Sequence, residues 1–421
     1  MNATFTKAVR YQVEAVCATP LRTCGADGDT ELVLRNWQGI PMIQGSSLAG
    51  AMRGWLMKTH GNALAERLFG SQEQTGRLMV SDAMFQKDAK MVTRPRLRID
   101  SATGSAAAGG KFDVAHISTG ERFDFSLTWL GEEDAASETT AVEQMLSAMQ
   151  RGEIRLGAQK SNGFGHVSLS VKKRAFDLRE EKDREAWLED SEDGAPVELP
   201  DLKNGREVTF TVVGHTDSVL VKGPAAEQEG DGSFVRNIQE ADRPVIPGSS
   251  IKGVIRARAS MIARWKGVPD SAMDDIFGRG SEEEDNGIAG KVQFEDCVMS
   301  ADETRKITRI RINRFTGGVI RQGLFREEPV CSKVHLRITA PADCTMGCGL
   351  LVYALRDLGL NLANLGSGDA VGRGRISVES IQVEAPDGET VGITFDEDRN
   401  CTVTDPSGLI AGWLRELEVR G

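Results

Sequence analysis

Residues 40–53, IPMIQGSSLAGAMR, recur as residues 244–256, PVIPGSSIKGVIR. Other blocks recur with them. Leu68-Phe69-Gly70 returns as Ile276-Phe277-Gly278, and GRLMVSDAMF (76–85) returns as GKVQFEDCVM (290–299), aligning Asp82 with Asp296. RLRIDSATG (96–104) returns as RIRINRFTG (309–317), with Phe112 matching Phe325, and KSNGFGHV (160–167) returns as DAVGRGRI (369–376). Five blocks in one order, offset by 203 to 214 residues, mark a duplication inside the chain.

Each copy carries the same alternation of strand and helix signals. Val9, Tyr11, Val13 and Ala15 alternate with Arg10, Gln12 and Glu14, the period of a half-buried strand, and Val208, Phe210 and Val212 repeat it. A helix follows each Gly-Ser-Ser block. Strands follow near 77–85 and 290–298, then at Phe123, Phe125, Leu127 and Trp129, or at Val334, Leu336 and Ile338. A second helix (about 139–150, or 348–358) and a last strand close each copy. The order β-α-β-β-α-β predicts an α+β chain of two tandem ferredoxin-like domains. The first spans 1–178 and the second 206–421 with a C-terminal extension. Residues 179–205, rich in charge and ending in Gly and Pro, read as a helical linker.

Bulk composition narrows the class. Of 421 residues, 40% are hydrophobic and 27% charged, so each half can bury its own core without disulfides or metals. Lys7 and Arg10 interrupt any leader-like run, and no stretch reaches the roughly 20 apolar residues of a membrane span. Seven unpatterned cysteines fit a reducing cytoplasm. A net charge of −11 speaks against indiscriminate polyanion binding. The charge is unevenly placed, however. Acid gathers at 132–138, 179–201, 282–285 and 396–398. Base gathers at Lys87, Lys90, Arg94, Arg96 and Arg98, and again at Arg305, Lys306, Arg309, Arg311 and Arg314. Matched basic clusters on an acidic body suit RNA.

Each Gly-Ser-Ser block opens a helix. Ser46 or Ser47 and Ser249 or Ser250 are natural N-caps, and the unpaired amides there suit a phosphate. Lys252 and Arg256 lie four apart on one helical face; Arg53 keeps the second base in the first copy, where Ala49 replaces the lysine. The glycines at 163, 165, 366, 368, 372 and 374 allow close approach of a sugar-phosphate chain. The second loop lacks the Lys-Ser/Thr of a P-loop and precedes a strand. Cys344 and Cys348 have no second pair to complete a zinc site and belong to the core. None of the five histidines matches between copies.

The carboxylates ahead of each block remain. Aligned backward from the Gly-Ser-Ser blocks with small gaps, Asp29 meets Asp231, and Arg35-Asn36 meets Arg236-Asn237; Asp27 competes for the first position. A Gly-flanked aspartate is either a turn residue or a group able to orient a ribose 2′-OH, act as base or hold a divalent ion.

Taken together, the aspartate loop, I-P-x-I-x-G-S-S, L-F-G, the Asp-bearing strand, R-φ-R-I-D/N-x-x-T-G and the G-x-G loop resemble the RAMP superfamily, in particular the tandem-fused backbone subunits of type III CRISPR effectors. The resemblance covers the chain apart from the linker and the residues after about 385. It implies RRM-like domains with β-hairpin thumb insertions after Arg96–Gly104 and Arg309–Gly317, a bound guide crRNA, a single-stranded target RNA, neighbouring effector subunits and no membrane. Carried over, Asp29 and Asp231 would cut the target, with a divalent ion, Mg, as the expected cofactor. RNA contacts would fall to Ser46, Ser47, Arg53, Arg96, Arg98, Lys160, Ser249, Ser250, Lys252, Arg256, Arg309, Arg311 and Arg373. A scaffold whose aspartates are inert is the alternative.

Overall fold

A computed structural model describes residues 5–23, 33–100, 105–132, 136–190, 193–202, 206–223, 234–280, 287–300 and 302–418. The chain divides into two compact units. Unit 1 comprises Met1–Thr93, Ala115–Lys160 and Phe164–Lys203, and unit 2 comprises Arg94–Val114, Ser161–Gly163 and Asn204–Gly421.

In unit 1, strand β1 (Lys7–Cys17) leads to helices α1 (Gly45–His60) and α2 (Asn62–Phe69). Short strands β2 (Leu78–Val80) and β3 (Ala83–Phe85) precede the hairpin β4 (Met91–Ile99) and β5 (Ala106–Ile117), of which Arg94–Val114 belongs to unit 2. Then come β6 (Arg122–Gly131), α3 (Ala136–Arg151) and β7 (Val167–Asp177). β1 is central, antiparallel to both β6 and β7, and β2 and β3 pair with the far edge of β6. That is the ferredoxin-like order. Side-chain alternation explains why the sheet has one wet face: Val9, Tyr11, Val13 and Ala15 are buried against Leu48, Met52 and Leu56 of α1 and Val142, Met145 and Met149 of α3 in one core. Arg10, Gln12 and Glu14 turn to the other side.

After helix α4 (Glu181–Leu188), unit 2 repeats the plan. It runs β8 (Glu207–Val219), α5 (Gly248–Trp265), α6 (Asp270–Phe277), β9 (Gln293–Phe294), the hairpin β10 (Ile307–Ile312) and β11 (Val319–Glu327), β12 (Val330–Pro341), α7 (Thr345–Gly359) and β13 (Ser377–Glu384). β8 lies between β12 and β13, with β9 outside β12. The C-terminal extension adds β14 (Thr390–Phe395) and β15 (Cys401–Thr404) to the β13 edge, and α8 (Leu409–Glu418) buries Ile410, Trp413 and Leu417 in the core of this unit. Cys344 and Cys348 are buried, and burial pushes both thiols up.

Two features depart from the expected layout. Each Gly-Ser-Ser helix is followed by a second short helix, α2 or α6, ending at the Leu-Phe or Ile-Phe pair. The R-φ-R blocks do not precede the hairpin insertions; they are the outgoing strands β4 and β10 themselves. No helix among the described residues is long and apolar enough to cross a membrane.

Candidate nucleic-acid interface

The serines of the Gly-Ser-Ser blocks are not N-caps. Each helix starts at the glycine, with Gln44 and Pro247 in the cap positions, and the serines occupy its first turn. The reason lies across the chain. Gly45 donates its N–H to Asp82 Oδ1 at 2.7 Å, and Gly248 donates to Asp296 Oδ1 at 2.8 Å. A carboxylate from the link between two short strands satisfies the first orphan amide, so no capping serine is needed there. Packing demands the glycine: a Cβ at Gly45 would stand 2.5 Å from the Val80 carbonyl oxygen, and one at Gly248 2.0 Å from that of Phe294. The first amide of each helix is therefore engaged by protein.

Positive charge is concentrated along the face of α5. Lys252 donates to Ser161 Oγ at 3.0 Å. Burial, then the like charges of Arg256 and Arg96, push its ammonium down to about 8 from 10.5. Like charges that push one another's protons off make a site that gains from an anion. Arg256 itself is anchored, donating to the Gly278 carbonyl at 2.7 Å and to Asp274 at 3.2 Å. Its counterpart Arg53 is half-buried and has no polar partner among the described residues. Lys160 stands at the surface of unit 1, its pKa lowered by partial burial of the ammonium and by Lys58.

Arg94, which the sequence places in a basic surface cluster, is buried. At 2% exposure it donates to Asp296 Oδ2 at 2.5 Å and to Glu240 at 2.6 Å, and the two carboxylates outweigh the cost of burial to its charge.

The hairpins carry exposed apolar side chains. On β10–β11, Ile310, Ile312, Val319, Leu324 and Phe325 are exposed, and Phe315 at the tip is 99% exposed. The tip turn is built by Asn313, whose Oδ1 accepts from the amides of Phe315 and Thr316. Arg311 and Arg314 flank it, both exposed. Leu97, Ile99 and Phe112 are likewise exposed on β4–β5 beside exposed Arg98; the tip, residues 101–104, lies outside the described residues.

Both hairpins share a kink that the sequence reading missed. Gly109 and Gln322, at matching positions, have φ of 65° and 59°, and a glycine follows each. A Cβ at Gly110 or Gly323 would lie 3.1 Å from the Cβ of Arg98 or Arg311. The register of β10–β11 shifts between Ile310 and Ile312. Such a bulge re-aims the arginine between its flanking apolar residues. Its signal was present as Gly109-Gly110 and Gln322-Gly323 inside strand patterns.

Glu327, at the base of the second hairpin, was also unforeseen. It accepts from Arg309 at 2.5 Å and from Arg373 at 2.7 Å, with Lys222 3.6 Å away. Burial alone would raise its pKa, but the hydrogen bonds from Arg373 and Arg309 hold it low. Arg309 and Arg373 thus join hairpin, glycine loop and the chain entering the aspartate loop; Arg373 is only 5% exposed. The glycine loops are largely packed on protein. Gly165 and Gly374 would each meet a carbonyl oxygen, of Leu156 or Leu365, at 2.0 Å, and Gly163 would meet Phe294; only Gly372 of these faces open space.

Asp29 and Asp231, like Asp27, lie outside the described residues. The backbone after them is informative. Met42 N–H donates to Leu34 and Val245 N–H to Ile238, so Leu34 corresponds to Ile238, and Arg35, opposite Pro41, to Gln239, opposite Pro244. The sequence pairing of Arg35-Asn36 with Arg236-Asn237 is therefore wrong by three residues. Counted without gaps, Asp27 precedes Leu34 by the same seven residues by which Asp231 precedes Ile238. Phe234 and Val235 pair with Arg326 and Glu327 of β11, and Arg236 bonds Glu328 at 2.9 Å. The aspartate loop of unit 2 thus ends on the base of the hairpin.

A family model for the RAMP superfamily matches residues 14–168 and 232–377, more than half of the chain in two segments. The chain belongs to the RAMP superfamily. No curated protein matches it. The two matched segments make it a tandem RAMP protein, CRISPR-associated and RNA-binding, with ferredoxin-like domains. RAMP proteins bind crRNA and act in complexes with other Cas subunits. Among the described residues there is no group of three or more His, Cys, Asp or Glu that could hold a metal.

Proposed function

We propose that this tandem RAMP protein is a backbone subunit of a type III CRISPR effector, laid along a guide crRNA and cutting a paired target RNA at its two aspartate loops. The observation that carries the reading is the duplicated hairpin: a kinked strand pair, exposed apolar residues and an outward arginine, twice in one chain. Apolar side chains on such a hairpin stack on or wedge between bases, and arginine takes the phosphate beside them. Lys252, Arg96 and Ser161 form the phosphate grip at the helix face, with Arg98 and Arg311 on the hairpins. Arg256, Arg309 and Arg373 serve by positioning.

The proposed cut has a stereochemical requirement. In-line attack needs the 2′-oxygen, phosphorus and leaving 5′-oxygen nearly collinear, which stacked A-form RNA disfavours; a wedged base frees it. A carboxylate at Asp231, and at Asp29 or Asp27, takes the 2′-hydroxyl proton. The O–P bond that forms closes a 2′,3′-cyclic phosphate as the P–O5′ bond breaks, and the departing 5′-oxygen takes a proton from water to leave as a 5′-hydroxyl. Only Gly232 and Ser233 stand between Asp231 and Phe234 of the hairpin base, a reach of at most about 11 Å. A divalent ion, where bound, would supply charge stabilisation at the phosphate.

The test is purification with the neighbouring genes. An absorbance ratio at 260/280 nm well above that of protein, with one discrete RNA size, supports the reading; an RNA-free complex overturns it.

A further inference from the structure

Glu327 is 1% exposed, and the hairpin, the glycine loop and both flanks of residues 224–233 converge on it. Arg309 of β10 and Arg373 of the glycine loop donate to one of its oxygens, at 2.5 and 2.7 Å. Lys222, just ahead of residues 224–233, stands 3.6 Å from the other oxygen. On the far flank Val235 pairs with Glu327 itself, and Glu328 donates its N–H to the Val235 carbonyl. Lys222 and Asn237 bridge the two flanks to each other. The stretch that carries Asp231 thus leaves from and returns to this one carboxylate.

The first copy does without it. Gly110 matches Gly323 and Arg96 matches Arg309, which sets Val114 against Glu327. A Cβ at Gly165 or Gly374 would stand 2.0 Å from a leucine carbonyl oxygen, which sets Phe164 against Arg373. Val114 and Phe164 are each 1% exposed. Two positions that carry opposite charges in the second copy are apolar in the first. Stability alone does not call for the buried ions, since apolar side chains serve as well. What the shared carboxylate adds is a fixed angle between the groups it joins.

We propose that Glu327 is a positioning residue for the cut of the second unit, setting both flanks of residues 224–233 against the hairpin and the glycine loop, and that the cut of the first unit does not depend on it. The inference rests on the cleavage proposed above. In-line attack demands a fixed reach, and an offset of about 1 Å costs about a hundredfold in rate. Glu327 is too buried to meet RNA, and its charge would repel a phosphate. It acts through Arg309, Arg373 and Lys222.

The experiment is single-turnover cleavage of a labelled target RNA by the complex assembled with the neighbouring genes, both cuts being read in one reaction. Asp231→Ala identifies the product of the second unit. Glu327→Gln keeps the shape and loses the charge. It should slow that cut about a hundredfold while the other cut and target affinity stay within about twofold. Glu327→Val with Arg373→Phe installs the residues of the first copy and strands no buried charge, since Lys222 and Arg309 reach water. It should bring the cut back to within about tenfold of wild type. A double variant as slow as Glu327→Gln would make the carboxylate a reacting group and overturn the positioning role. Both cuts slowing together, or target binding lost, would overturn it too by making Glu327 a stabiliser only. Wild-type speed in Glu327→Gln would overturn this inference and leave the cleavage reading standing, whereas a wild-type complex that cuts nowhere would overturn both.

Discussion

Asp296 and Asp82 hold the first amides of equivalent helices at 2.8 and 2.7 Å, but only Asp296 also bonds a buried arginine. Equal chemistry at the cap and unequal chemistry behind it make the two aspartates a matched pair for experiment. Asp82→Ala should cost about 1 kcal/mol, the usual loss of a cap. Asp296→Ala strands Arg94 beside one carboxylate at 2% exposure and should cost about 3–5 kcal/mol. Urea melts of the two variants give the difference directly, and equal losses would show that Arg94 is not held by Asp296.

Lys252 links stability and RNA binding with opposite signs. Its pKa near 8 in the folded protein lies below its ordinary 10.5, so between those values the unfolded chain holds more protons at this group. The contribution of Lys252 to the stability of RNA-free protein therefore rises as pH climbs through 8. A bound phosphate needs the charged ammonium, so RNA affinity should fall, by about tenfold from pH 7.5 to 9. Lys252→Gln should flatten both trends. Affinity and stability moving in the same direction would place Lys252 away from the RNA.

The hairpins should be functional but dispensable for folding. Phe315→Ala removes a side chain that touches almost nothing, so the melting temperature should hold while RNA affinity drops by about 1–3 kcal/mol. Gly323→Val forces a Cβ to within 2.7 Å of the Ile320 carbonyl oxygen and straightens the bulge. It should weaken RNA binding with Arg311 still in place. Retained affinity in both variants would make the hairpins protein contacts.

The order of strands and helices was legible because the duplication let each half check the other. The exposed hairpin arginines Arg98 and Arg311 and the core cysteines were legible too. What escaped was anything set by distant partners. Ser46 and Ser249 looked like caps because Asp82 and Asp296 come 37 and 48 residues after the glycines they hold. Arg94, Arg309 and Arg373 looked like surface base because their carboxylates, Asp296 and Glu327, are fixed only by the folded sheet. A one-residue longer turn before Pro41 than before Pro244 hid the register of Arg35 and Asn36.

Cleavage separates Asp27 from Asp29. Asp231→Ala should remove one product of a labelled target RNA, slowing that cut by about 10²–10⁴ while target affinity stays. By the count without gaps, Asp27→Ala should remove the other product, with Asp29→Ala the alternative. A 2′-deoxy substitution at either cut should stop it. Both products persisting in the triple variant would leave an inert scaffold.

The most direct measurement is RNA affinity of the assembled complex against salt, for wild type and for Lys252→Ala with Arg311→Ala. Each lost phosphate contact on a single strand lowers the slope of log affinity against log salt by about 0.7. The account predicts a slope shallower by about 1.4, with weaker binding to every sequence. An unchanged affinity and slope would mean that neither the helix face nor the hairpin holds the RNA backbone.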